Sequence, residues 1–423
     1  MAPRPHYSSP LSDVVVTGVG LVTPTGIGPT AVQNALREGL SGVRFNADDV
    51  DRWRLQAYVP ADFEPKQYVK ARKSLKVMSH ETQLGVAAAS MAMTDAGWTA
   101  GALDPTRLGV ILGTDIMHCP PAELIPTYAG STDEAGFHFD RWGPMAQREL
   151  NPLWMLNYLP NMAASHIAIS QDAQGPSNTL VLGDVSGLLA IAEGASLITR
   201  GWADVVIAGG TGSLRNPTTR MYHGVEHLSR RYETPLATPR PFDEQRDGSV
   251  AGEGAGIVIL ERRQVAEQRG ARILGHCAGA GQGMVHRPGP NETRAIEIAA
   301  RKAIEDAQWS VDSIDHVNAA GRATLVDDRR EALACHKLFP NAPVTAPASF
   351  FGILGAASGA VEFISSLLLM SSGERPFTLH SSAAASDCPI TLQTELAARR
   401  TGRFIKLSQC WTGQSIALAF EAN

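Results

Sequence analysis

Cysteine is scarce in this sequence: five residues in 423, at Cys119, Cys277, Cys335, Cys388 and Cys410, an odd number with no CxxC pair. That scatter excludes a disulfide framework and a zinc knuckle and suits a reducing compartment. Long apolar runs are missing too. No stretch of about 18 apolar residues occurs, so no membrane-spanning helix is expected. Neither sign of charge dominates: 37 Lys and Arg face 42 Asp and Glu, a formal net charge of −5. With no basic block or stripe, a nucleic-acid partner is not expected. Residues 1–13, MAPRPHYSSPLSD, lack the apolar h-region of a signal peptide and read as a flexible leader. These shortages together predict a soluble, cytoplasmic protein.

Glycine and proline are plentiful, at 40 and 26 residues, and they punctuate a regular alternation. Apolar strand-like runs stand at 14–20, 108–114, 179–183, 204–210 and 256–261. Helical segments follow, notably 80–97 and 185–200. In the second of these, Leu188, Ile191, Ala192, Ala195 and Ile198 form one apolar stripe and Gly201 supplies the stop. Continuous apolar strands joined by helices predict an α/β protein whose sheet is buried on both faces. The theme returns less crisply in 271–281, 293–308, 316–321 and 361–370, closing with FIKLSQC and SIALAFE. Between the halves lies TPRPFDEQRDGSVAGEGAG (238–256), too polar to read as core and too rich in glycine to read as a floppy linker. The expectation is two similar halves, 14–262 and 263–423, sharing one continuous core.

One stretch carries the chemical question. TLVLGDVSGLLAIAEG, Thr179 to Gly194, reads as a strand, a tight turn and a helix whose first polar side chain is Asp184. A helix N-terminus offers free N–H donors and the positive end of a dipole, a usual place for a catalytic group. Asp is also among the best helix caps, worth about 1 kcal/mol over Ala. Asp184 is therefore either a structural cap or a working acid, base or electrostatic contact.

Two other motifs are weaker. HGVEH (223–227) fits an H-x-x-E-H metal pattern with His223 and His227 a helical turn apart, but no third ligand accompanies it. No metal and no cofactor is expected. GSVAGEGAG (248–256) looks like a dinucleotide loop, yet it precedes a strand instead of following one. Its glycines read as positions of close backbone packing.

The ordered segments VVVTGVGLVTPTGIG, QGPSNTLVLGDVSG, ADVVIAGGTGS, RPFDEQRDGSVAGEGAGIVILE and VNAAGRAT resemble the β-ketoacyl-ACP synthases, condensing enzymes of fatty-acid and type II polyketide synthesis. The resemblance runs from about residue 14 to residue 420. It implies a thiolase-like fold, two βαβ-rich halves in an αβαβα layered core, and a dimer formed through the strand before the nucleophile turn. It also implies three catalytic positions. Counting from Gly175 puts Asp184 where the family carries its cysteine nucleophile. VNAAGRAT puts Ala320 at the first catalytic histidine, and alignment back from Glu362 puts Ile353 at the second. The family lysine of that segment is Ala348, and the family's GFGG gating loop reads CWTG (410–413). By the same resemblance Phe350, Phe351 and Trp411 surround the acyl pocket, either as core packing or as a plug.

These residue types alter the expected chemistry. Acyl transfer from a thioester to a thiolate is nearly isoenergetic, whereas transfer to a carboxylate makes a mixed anhydride, strongly uphill. A carboxylate at a helix N-terminus is also held ionised, which weakens it further as a nucleophile. Ala320 and Ile353 donate no hydrogen bond to a developing oxyanion, and each such loss typically costs about 10²–10³ in rate. The leading expectation is a non-condensing homologue similar to chain-length factors, which pair with an active ketosynthase. Chain-length factors commonly carry glutamine at the nucleophile position, where this chain has Asp184. The alternative is altered acyl-thioester chemistry with Asp184 as acid or base. Expected partners are an acyl carrier protein, with Arg215, Arg220, Arg230 and Arg231 as a local basic patch, and a homodimeric or heterodimeric second subunit.

Overall fold

The structure, a computed structural model, describes residues 10–47, 54–69, 71–99, 101–286, 288–289 and 291–423. Residues 1–9 of the expected leader lie outside the described residues. Leu11–Asp13 forms a half-buried 3-10 turn, and Ser12 O accepts from Arg263 Nη2 at 2.9 Å.

Ten strands form the main path of one hydrogen-bonded sheet. From one edge to the other they are Val344–Thr345, His316–Asn318, Arg403–Gln409, Gln414–Ala422, Gly275–Met284, Val14–Thr23, Ala251–Arg262, Val205–Ser213, Leu108–Gly113 and Ser177–Leu180. The halves meet where Val15 faces His276 and Val16 faces Gly275. Outward from that seam each half repeats one pattern, two antiparallel pairings followed by two parallel ones. Even the irregularity recurs: both seam strands shift register, between Val16 and Gly18 and between Cys277 and Gly279.

Small residues let each seam strand sit close to a covering helix. A Cβ on Gly20 would lie 1.9 Å from Ala88 O of helix His80–Asp95, and one on Gly281 would lie 2.1 Å from Ala299 O of helix Arg294–Ala307. Two further helices, Ser186–Thr199 and Ser358–Met370, pack against each other and lie between the two halves. Apolar on nearly every side, they are core elements, and with the outer helices they give the αβαβα layering expected for the fold. The expected stripe Leu188, Ile191, Ala192, Ala195 and Ile198 is wholly buried. Gly201 takes φ +73° just past the helix end, and its N–H and that of Trp202 bond back to Ile198 O and Leu197 O.

Two local expectations need correction. The strand expected over 179–183 is Ser177–Leu180, because Gly183 enters the left-handed region at φ +65° and opens a 3-10 turn. The segment 238–256, read as too polar for core, is largely buried, and its end begins the strand Ala251–Arg262. Its largest polar group is matched internally: Arg246 bonds Asp387, Asp243 O, Thr324 O and Leu325 O, while Phe242 N donates to Asp328. Gly252, Gly254 and Gly256 stand where any Cβ would meet neighbouring backbone within 2.9 Å, which supports the close-packing reading of these glycines.

Candidate active site

Asp184 is buried in the 3-10 turn Gly183–Val185 that leads into helix Ser186–Thr199. The turn is pinned by Ser186, whose Oγ accepts from Leu182 N at 2.8 Å and donates to Gly183 O at 2.7 Å. The other half repeats the corner: Gly355 takes φ +56°, and Ser358 Oγ accepts from Leu354 N at 2.9 Å ahead of helix Ser358–Met370. Asp184 does not cap its helix. The N-cap position is Val185, with no side-chain capping bond.

The carboxylate is committed elsewhere. Asp184 Oδ2 accepts a short hydrogen bond from Arg322 Nη1, and Oδ1 lies 3.7 Å from His223 Nδ1. His223 Nε2 is in turn 3.3 Å from Asp115 Oδ1, and Asp115 Oδ2 accepts from Ala356 N at 2.7 Å. Two carboxylates thus face two cations in a buried row running Asp115, His223, Asp184, Arg322. Arg322 also stands 3.8 Å from Asp327 Oδ2 through Nε. Burial opposes charge on the guanidinium, but Asp184, Asp327 and Cys410 together hold its pKa above the ordinary value.

Burial likewise pulls down the His223 pKa, yet Asp115, then Asp184, push it up to about 9, with Arg322 opposing. Glu81 lies close enough to feel this row. Burial first, then Asp115 and Glu253, raise its pKa well above the ordinary carboxylate value, with His223 opposing. An unfolded histidine titrates near 6.5. The His223 contribution to stability is therefore fully present below that pH and is lost as pH rises through about 9. The expected loss is on the order of 3 kcal/mol. Urea unfolding between pH 6.5 and 9.5 checks this, and His223→Gln should flatten the decline. An unchanged slope in that variant would assign the effect to other groups.

The crevice beside Asp184 holds about 10 Å3, at most a single water. Ala320, Arg322, Ala348, Ile353 and Glu362 line it with Asp184, so the three positions singled out from the sequence do converge. Ala320 is set by its backbone: Glu331 accepts from Ala320 N at 2.8 Å and from Gly321 N at 3.0 Å. Ile353 packs with Leu214, Leu228 and Ala251. Glu362 pairs with the fully buried Lys406, whose Nζ also donates to Asn318 Oδ1 at 3.1 Å and Ala319 O at 3.2 Å. Burial outweighs that ammonium and raises the Glu362 pKa to about 7.

Phe350 and Phe351 are buried core residues, tilted against each other with centroids 6.1 Å apart, and Phe350 meets Phe377 edge-on. Trp411 stands apart from them, 46% exposed and T-shaped against Tyr222. None of the three lines the crevice. A larger cavity of about 500 Å3, lined in part by Met78, His80, Glu81, Met117, His118 and Arg215, shares no lining residue with it.

A thiol does approach the corner. A Cβ on Gly183 would sit 2.8 Å from Cys410 Sγ. Burial, then the Asp184 charge, raise that thiol's pKa, so it stays protonated and weakly nucleophilic. The metal pattern is corrected: helix Pro217–His223 ends at His223, Gly224 takes φ +89°, and His227 lies 3.8 Å from Glu226 in a separate 3-10 turn. Among the described residues no group of three or more metal-ligating side chains forms. The basic patch is thinner than expected, since Arg220 is buried, Arg215 pairs with Glu253 at 2.8 Å and Arg231 stands 3.6 Å from Asp247.

Sequence reasoning missed Asp115, His223, Arg322 and Lys406. Signals existed for three. Asp115 follows directly on a buried parallel strand, the strand end at which α/β sites form. Arg322 is a lone charge in the glycine corner VNAAGRAT. His223 was legible only as half of a metal pair.

This symmetric layered sheet, with a strand–turn–helix corner holding the candidate site, defines a thiolase-like scaffold of the ketosynthase type. Residues 11–266 match the family described as Beta-ketoacyl synthase, N-terminal domain, and residues 271–382 match Beta-ketoacyl synthase, C-terminal domain. The chain belongs to the β-ketoacyl synthase family. It is similar to 3-oxoacyl-[acyl-carrier-protein] synthase 2 of Synechocystis sp., 30% identical over 390 residues, 89% of this chain and 90% of that protein. It is also similar to putative polyketide beta-ketoacyl synthase 1 of Streptomyces halstedii, 29% identical over 408 residues and 93% of each chain. Among solved structures, a beta-ketoacyl synthase from Burkholderia phymatum superposes with TM-score 0.85 at 26% identity, covering 97% of this chain and 99% of that one. The ishigamide ketosynthase/chain length factor gives 0.84 at 24% identity with the same coverage. AntDE:AntF, described as a type II PKS acyl-carrier protein in complex with its ketosynthase bound to the hexaketide, gives 0.81 at 25% identity, again with that coverage. No helix among the described residues is long and apolar enough to cross a membrane.

Proposed function

We propose that this chain is a non-condensing member of its family, acting in the cytoplasm as the partner subunit of an active ketosynthase in acyl or polyketide assembly. The observation that carries this reading is the commitment of Asp184 to Arg322 in a crevice of about 10 Å3. A side chain ion-paired in a closed crevice neither attacks a thioester nor leaves room for an acyl group. Ala320 and Ile353 present only hydrocarbon to that space.

The outer surface supports partnership. Among the described residues strand Ser177–Leu180 ends the sheet, pairing on one side only, and an exposed strand edge invites pairing with another chain. Ile125, Tyr128, Phe139, Leu153 and Met155 are exposed apolar side chains on segments joined to this half. The ketosynthase/chain length factor structure and the acyl-carrier-protein complex among the similar structures supply the partner classes, a second ketosynthase-type subunit and a carrier protein. The rival reading, Asp184 as acid or base on an acyl thioester, requires open space beside its carboxylate, and the crevice weighs against it.

Co-expression with an active type II ketosynthase, taken from a neighbouring gene where there is one, tests the proposal. The expected result is a stable heterodimer whose product length changes relative to the ketosynthase alone. A homodimer that never captures the ketosynthase, or turnover of a thioester abolished by Asp184→Asn, would sink it.

A further inference from the structure

The row through Asp184 has an end that the partner-subunit reading does not use. Arg322 is buried, and its guanidinium faces into the crevice with one satisfied partner of opposite charge, the chain's own Asp184. Its Nε makes no hydrogen bond among the described residues, the Asp327 carboxylate being 3.8 Å away, and Nη1 also reaches Gln409 O at 3.5 Å. Around it stand the apolar Ala320, Ala348 and Ile353, and the one further carboxylate lining the crevice, Glu362, is paired with Lys406. A guanidinium in such a setting binds carboxylates by charge-assisted hydrogen bonds.

We infer that Arg322 forms a small-carboxylate binding site in this crevice and that Asp184 is its tethered internal ligand. A tethered carboxylate has a high effective concentration and excludes free ones, so the wild-type site is closed to exogenous anions. Removing the tether opens it. The inference rests on the crevice geometry and stands apart from the partner-subunit reading, since its readout involves neither a ketosynthase nor turnover.

The deleted atoms name the ligand. Asp184→Ala removes a carboxylate of the size of formate, and Asp184→Gly removes the equivalent of acetate. Both variants leave the buried guanidinium with only the more distant Asp327 carboxylate, 3.8 Å from Nε, and are destabilised by the lost hydrogen-bonded partner. In thermal unfolding of the full chain, formate should raise the melting temperature of Asp184→Ala saturably, by at least about 2 °C at ten times its dissociation constant. Acetate should do the same for Asp184→Gly, each variant preferring its own anion. Sodium chloride at equal ionic strength should leave both nearly unchanged, as should formate added to the wild type. Adding Arg322→Met to either variant should abolish the effect. Chloride matching formate, rescue that survives Arg322→Met, or failure of both variants to fold in either carboxylate overturns the inference.

Discussion

Arg322→Met lowers the unfolding free energy by about 3–5 kcal/mol, the usual cost of removing one member of a buried ion pair. The loss is measured from urea unfolding at pH 7. Its cause is the partner left behind: the Asp184 carboxylate would keep only His223, at 3.7 Å, as an opposing charge. Adding Asp184→Leu in the same chain should recover most of the loss, because two apolar side chains of similar bulk satisfy one another where a lone charge does not. The two effects are far from additive, and that coupling identifies the pair. A cost below about 1 kcal/mol for Arg322→Met, the range of an exposed ion pair, would mean that water reaches the row and that the crevice is not sealed.

The second expected result concerns catalysis. Asp184→Cys puts a sulfur at the corner but, on the partner-subunit reading, creates no condensing enzyme. Its thiol would sit beside Arg322, which favours the thiolate, so deprotonation is not the missing step. The missing steps are charge stabilisation and space. Ala320 and Ile353 provide no donor for the oxyanion formed during decarboxylation, and two such losses together cost roughly 10⁴–10⁶ in rate if they multiply. The crevice of about 10 Å3 admits no acyl chain. Malonyl-carrier decarboxylation and condensation should remain at least about 10⁴ below an active ketosynthase assayed in parallel, even where iodoacetamide labels the new cysteine. Activity within a hundredfold of that reference would show that the corner needs only its thiol back.

Both results follow from how residues far apart in sequence meet, and the sequence exposes that only in part. The Asp184 corner was legible because its signal is local: an apolar run, a glycine, then a helical stripe with a glycine stop. The cap reading of Asp184 failed because capping propensity describes a helix alone, whereas here Arg322, 138 residues away in sequence, takes the carboxylate first. The strand Ala251–Arg262 was partly hidden because charged and glycine-rich residues usually mark loops. Its polar neighbourhood is buried against Asp387, Asp328 and the carbonyls of Thr324 and Leu325 at a helix N-terminus, which accept its hydrogen bonds. Trp411 was placed near Phe350 by the family resemblance, while its ring meets Tyr222 at the surface.

The sequence by itself determined the α/β alternation and the repeated halves, since periodicity is a local property, and its family resemblance singled out Asp184, Ala320 and Ile353. Only the tertiary structure decided what surrounds them. Asp115, His223, Asp184 and Arg322 come from four separate segments, and their charges have meaning only at distances of a few ångströms in a medium from which water is excluded. That proximity turns an isolated aspartate into one member of a closed ionic row.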